Sequence, residues 1–172
     1  MLEFVNEDET AYALVNILLI MCSVLEKQKD KENIVLKDIV AREDRFRDLV
    51  LKVLNRAGQF NYVKCLEAIS LIIKTTSAKE FPFFGYNDID FIIGCCLKNL
   101  EKTNDSAVRA ETLKVIFDCV KTPTFKQYPD RLKELDDSVT QWVLSEESED
   151  MSYSLKEREY IARINLEVQS LS

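Results

Sequence analysis

The chain has 172 residues, 47% apolar and 31% charged, an ordinary balance for a folded protein and enough for one continuous core. With 23 basic against 30 acidic side chains the net charge is −7, so the phosphate backbone would repel it and general nucleic-acid binding is not expected. There is no histidine, and only three glycines and three prolines, which excludes a fold built from closely spaced hairpins and favours long helices with few connections.

The first helix is predicted to start at Asn6, where Asn6 and Glu9 fit a capping box and Val15, Leu18, Leu19 and Cys22 follow the i, i+3, i+4, i+7 rule. The apolar run 13–25 is broken by Asn16 and Ser23 and is too short to cross a bilayer. The acidic cluster before it lacks the positive start of a signal peptide, so a cytoplasmic protein with no membrane insertion is expected. Residues 27–33 read as a solvated connection and 34–40 as a short apolar piece.

Residues 43–57 carry a helical stripe of Phe46, Leu49, Val50, Val53 and Leu54, with Gly58 just past the end, where left-handed backbone is common. The next helix, 61–76, places Tyr62, Leu66, Ile69 and Ile73 on one face, which Leu71 and Ile72 widen. The loop 75–86 contains Phe81, Phe83, Phe84 and Tyr86, of which Phe83, Phe84 and Tyr86 are read as core plugs. Asn87 is expected to cap helix 87–100, whose stripe is Ile89, Ile92, Ile93, Cys96, Leu97 and Leu100. Gly94 inside it costs up to about 1 kcal/mol relative to alanine, so a close helix crossing is expected there.

Residues 104–106 should cap helix 105–121, which carries Ala110, Leu113, Ile116, Phe117 and Val120. Thr122 and Pro123 stop it. Pro129 opens another helix with Leu132, Leu135, Val139 and Val143 inward and Trp142 sealing an edge. The run Ser-Glu-Glu-Ser-Glu-Asp at 145–150 reads as the start of an acidic linker, 145–153, before a last helix. Ser154 and Glu157 form that helix's capping box, and Ile161, Ile164 and Val168 its inner face.

The five cysteines, Cys22, Cys65, Cys95, Cys96 and Cys119, are odd in number and lie in apolar helical runs without a CxxC pair. They are read as small buried hydrophobes, and no metal or cofactor is expected. Phosphate-cradling loops and nucleophile elbows need glycine patterns that are missing, and no histidine is present to activate a cysteine. The chain therefore reads as a binding protein, not an enzyme.

Helices 43–57 and 61–76 form one antiparallel pair, and 87–100 and 105–121 another, offset by roughly one armadillo or HEAT repeat of about 40–47 residues. The expected fold is all-α, a single armadillo-like α-solenoid of seven or eight helices over 1–172. Stacked hairpins of this kind leave a long groove lined by the second helix of each pair. Away from the apolar stripes these helices carry Lys64, Leu71 and Lys74, then Lys114 and Lys121. On an acidic chain, such lysines suit an acidic helix of a partner.

Several segments between 34 and 139 carry a family likeness. They are Phe46-Arg47-Asp48-Leu49 leading to Leu54-Asn55-Arg56-Ala57, then Leu71-Ile72-Ile73-Lys74-Thr75-Thr76, then Phe83-Phe84-Gly85-Tyr86-Asn87-Asp88-Ile89. Arg109, Leu113, Val115 and Ile116, and the connection 122–128, follow in order. Together these resemble the WISH/DIP/SPIN family, with Ile89 where the family has leucine and the first forty residues unmatched.

The resemblance implies an armadillo-like domain, shorter here than the family's usual one, that binds and activates the actin-related protein 2/3 complex. Such activators nucleate linear actin filaments without a preformed mother filament and seed endocytic networks at cortical actin patches. Actin itself would be an indirect partner, and the protein a monomer. Arg109 matches a family position and joins the candidate contacts on that ground. The alternative is a generic helical adaptor for a peptide or a small GTPase.

Overall fold

The computed structural model describes residue 13 and residues 44–55, 62–76, 82–148 and 153–170. Among them the fold is all-α, with seven helices and no strand. They are α1 (Asp44–Asn55), α2 (Tyr62–Thr76), α3 (Tyr86–Leu100), α4 (Ser106–Val120), the short α5 (Pro123–Lys126), α6 (Pro129–Ser148) and α7 (Leu155–Gln169). The helix expected from Asn6, the piece at 34–40, Cys22, Gly58 and Phe81 lie outside the described residues.

Neighbours follow a simple rule. α1, α3 and α6 touch in that order, and α2, α4 and α7 touch in that order. Within each hairpin α1 packs on α2, α3 on α4 and α6 on α7. The α6–α7 hairpin is a third pair beyond the two expected. The first helices begin at Asp44, Tyr86 and Pro129, 42 and 43 residues apart. The second helices begin at Tyr62, Ser106 and Leu155, 44 and 49 apart.

α4 lies between α2, α3, α5 and α7. Apolar side chains therefore occur around most of its circumference: Leu113, Val115, Ile116, Cys119 and Val120 are all fully buried. Each buried side chain of that size contributes about 1.5–3 kcal/mol of transfer free energy. The core continues through Ile69 and Leu66 of α2, Ile89, Ile92 and Cys96 of α3, Val139 and Trp142 of α6, and Ile164 of α7. Phe83 and Phe84 are buried as plugs, their rings meeting edge-on at 4.8 Å.

Cys65, Cys96 and Cys119 are buried and Cys95 half-buried. Burial pushes the Cys65 thiol up to about 12 and raises those of Cys96 and Cys119, so these sulfurs stay protonated and pack as small hydrophobes.

Capping differs from expectation at α3. The cap residue is Gly85, whose backbone N–H donates to the Asp88 carboxylate at 3.0 Å. Asn87 sits exposed at the second helical position, so it is not the cap. An acidic group at the third helical position satisfies a free donor and faces the positive end of the dipole, which suffices to start the helix earlier. At α4, Asp105 accepts from the N–H groups of Ala107 and Val108. Thr122 then caps α5, which replaces the connection expected there by one helical turn with Pro123 at its start. α6 runs on through Ser148, four residues into the expected acidic linker.

Gly94 is also corrected. It is exposed, and a Cβ built there would meet nothing within 4 Å, so among the described residues no helix crosses at this point. The glycine then carries only its entropic cost. Gly94→Ala is expected to raise stability by up to about 1 kcal/mol, read as a higher denaturation midpoint at unchanged slope. A lower midpoint would show that the glycine serves a contact after all.

Among the described residues, no helix is long and apolar enough to cross a membrane.

Candidate partner-binding surface

The second helices α2, α4 and α7 lie side by side and carry most of the candidate contacts. Lys64 and Leu71 sit on α2. Lys64 is exposed and bonds Glu67 one turn away at 2.8 Å, while Leu71 is half-buried against the core. Lys74 reaches across to α4, where its ammonium lies 3.3 Å from Asp118. Asp118 is itself buried and accepts from the Ser70 hydroxyl at 2.6 Å. Burial raises the Asp118 carboxyl above its usual range, and the Ser70 and Lys74 bonds only partly offset that.

Lys114 is half-buried and donates to Glu111 at 2.7 Å. Burial opposes its charge, but the Glu111 hydrogen bond and carboxylate outweigh that and raise its pKa. Lys121, one turn beyond Phe117, is exposed, and its ammonium stands 5.3 Å from the centre of that ring. It has no carboxylate within ion-pair distance among the described residues.

The structure thus brings Lys74, Lys114 and Lys121 into one region, with the first two already engaged by Asp118 and Glu111. Lys64 lies near the opposite end of α2. A surface built only to attract acid would leave these ammonium groups open. The row on α4 instead alternates in sign: Glu111, Lys114, Asp118, Lys121.

Arg109 does not belong to this surface. It is 3% exposed, and its Nε donates to the fully buried Glu157 carboxylate at 2.5 Å. The Glu157 carboxylate also accepts from the Ser106 hydroxyl at 2.7 Å and from the Ser154 backbone N–H at 2.7 Å. Burial opposes ionisation, yet the bonds from Ser154, Arg109 and Ser106 together hold the Glu157 carboxyl below its usual range. This cluster fastens the start of α7 to the start of α4. A guanidinium enclosed in this way cannot meet a partner, so Arg109 is corrected to a structural role.

Two residues that periodicity did not select complete the surface. Tyr160 on α7 packs at a tilt on Phe117, their rings 6.2 Å apart. Arg163, three residues on, stands 5.8 Å from both ring centres and pairs with Glu159 at 2.5 Å. Tyr160 and Arg163 lie more than forty residues beyond Phe117, and only the packing of α7 on α4 joins them. Phe117 itself was read as part of the inward stripe; it is only half-buried.

On the opposite layer, a shallow groove between α1 and α3 is lined by Asp48, Leu51, Lys52, Asn55, Asn87, Asp88 and the 42%-exposed Phe91. Arg47 of α1 pairs with Asp88, and Arg131 of α6 with Asp90, so ion pairs tie this layer to α3 on both sides. At the start of α3, Tyr86 stacks on Tyr128, which is 40% exposed, and on Phe125.

Comparison of the chain with protein-family models, with curated proteins and with solved structures finds no match.

Proposed function

We propose that this chain is an α-solenoid scaffold that binds another protein along helices α2, α4 and α7. The partner we propose is the actin-related protein 2/3 complex, activated to nucleate linear filaments without a mother filament and so to seed endocytic actin networks. The observation that carries the scaffold reading is the neighbour rule. First helices meet first helices and second meet second, and three of the four start-to-start spacings, 42, 43 and 44 residues, match armadillo and HEAT repeats of about 40–47, the fourth being 49. The choice of partner rests on the resemblance of the segments between 34 and 139, including Leu54-Asn55 and the Phe83–Ile89 stretch.

Activation of this kind is a population shift. A stiff scaffold that fits the filament-like state of the complex better than its resting state pulls the equilibrium over, about tenfold for every 1.4 kcal/mol of differential affinity. Buried pairs between hairpins, such as Ser70 with Asp118 and Arg109 with Glu157, supply the stiffness that selection between two states requires.

In pyrene-actin assembly with purified complex and no added filaments, the wild-type chain should shorten the lag. Lys114→Glu combined with Lys121→Glu should raise the half-maximal concentration about tenfold, equivalent to about 1.4 kcal/mol of binding, with the melting curve kept cooperative. Equal kinetics for wild type and variant would remove this face from the contact. No acceleration by the folded wild type would leave the adaptor reading, with a peptide or small GTPase as partner.

A further inference from the structure

We infer that Phe117, Lys121, Tyr160 and Arg163 form a docking point for a short acidic helical segment of a partner protein. The inference rests on the protein-binding reading above and specifies the chemistry of what binds. Two cations, Lys121 and Arg163, stand over one half-buried ring, Phe117, with Tyr160 packed at its side. The two charged groups are separated by no more than their two ring distances laid end to end, about 11 Å. Carboxylates on one face of an α-helix recur at i, i+4 and i, i+7, a rise of about 6 and 10.5 Å, so one such face spans both cations.

The existing partners do not prevent this. Among the described residues the carboxylate that engages Arg163 is Glu159, an exposed pair four residues apart on the same helix, of a type worth a few tenths of a kcal/mol. Lys121 is held by the ring alone among the described residues. The aromatic pair offers an apolar floor with cations at its rim, the arrangement in which charge fixes register and rings supply contact area.

Net charge decides the class of partner. A long polyanion, whether nucleic acid or an anionic membrane, would meet the field of the whole chain, which is −7. A segment of a few turns laid along Lys121 and Arg163 meets these two cations first, with Glu159 the carboxylate it displaces from Arg163. The geometry therefore favours a protein segment.

The test uses fluorescence anisotropy with a labelled helical peptide of about fifteen residues carrying glutamate at i, i+4 and i+7 around leucines. A matched peptide with lysine for glutamate is the control. The full chain should bind the acidic peptide and not the basic one, more weakly as salt rises from about 50 to about 500 mM. Lys121→Glu with Arg163→Glu should weaken binding at least about tenfold. Lys102→Glu with Lys133→Glu makes the same change in net charge on exposed positions elsewhere and should not. The milder Lys121→Gln with Arg163→Gln should lie between, which separates lost attraction from misfolding. Equal binding by wild type and the Lys121/Arg163 variant, equal binding of both peptides, or no binding of the acidic peptide would each overturn the proposal. Running the actin assembly assay on the same variants separates the two readings. Acceleration that survives loss of the docking point sinks this inference and leaves the activator. Peptide binding without any acceleration does the reverse.

Discussion

Replacing Glu157 with alanine is expected to lower the unfolding free energy by about 3–5 kcal/mol, the cost of stripping a buried charge of its partner. Arg109 and Glu157 are 3% and 0% exposed, so little solvent is at hand to take over from the carboxylate. The substitution also removes the acceptor for the Ser106 hydroxyl and the reciprocal half of the capping box at Ser154. Glu157→Gln keeps the shape and loses the charge, and should cost less. Replacing Arg109 and Glu157 together by methionine and leucine should recover most of the loss, because the pair's own attraction is set against a large desolvation penalty. Urea denaturation of the three variants checks this. A loss below about 1 kcal/mol for Glu157→Ala would mean that the enclosed pair is not the fastening described.

The same group sets a pH dependence. Its folded-state pKa lies below the ordinary glutamate value, so its contribution is present in full above about 4.3. It is lost as pH falls from there through the folded value. Glu157→Gln should therefore flatten the acid side of the stability profile, and leave the neutral side parallel to wild type.

The second large effect is expected at Phe125, 1% exposed on the single turn α5. Phe125→Ala should cost about 3–5 kcal/mol, the transfer term for a buried aromatic plus the cavity it leaves. α5 contacts α3, α4 and α6, and Tyr86 stacks on the Phe125 ring at 6.2 Å. A turn of four residues has almost no helical stability of its own. It is held by Thr122 at its start, whose hydroxyl accepts from the Phe125 N–H, and by burial of this ring. Phe125→Leu should keep most of the volume and lose less than half as much. A full-size loss in the leucine variant would mean that ring stacking, not filled space, is the cause.

Much of this architecture could be read before any coordinates. Apolar residues at helical spacing located α1 to α4 to within two residues at each end, because those stripes face real neighbours. The Ser154 and Glu157 capping box was visible because it is local, its two residues only three positions apart. Its second task was not, since nothing near Glu157 in the chain signals that Arg109 arrives from 48 residues away. Gly94 misled because a helical glycine has two readings, close packing or tolerated cost, and only the surroundings distinguish them. The cap of α3 misled for a related reason: asparagine is the stronger cap by type, but the Asp88 carboxylate reached back to Gly85 and started the helix sooner. The candidate surface was legible for its lysines, which stand off the stripes. It was not legible for Tyr160 and Arg163, whose place beside Phe117 depends on how α7 lies on α4, nor for the carboxylates that already engage Lys74 and Lys114.

The hydrogen bonds and ion pairs that join one hairpin to the next link residues between 40 and 51 positions apart. Nothing described needs the two ends of the chain to find each other. Among the described residues the pairings thus stay within about one repeat's reach along the chain, which keeps the search for native contacts short. This arrangement also lets each hairpin settle on the one already made as the polypeptide leaves the ribosome, before the rest has been synthesised.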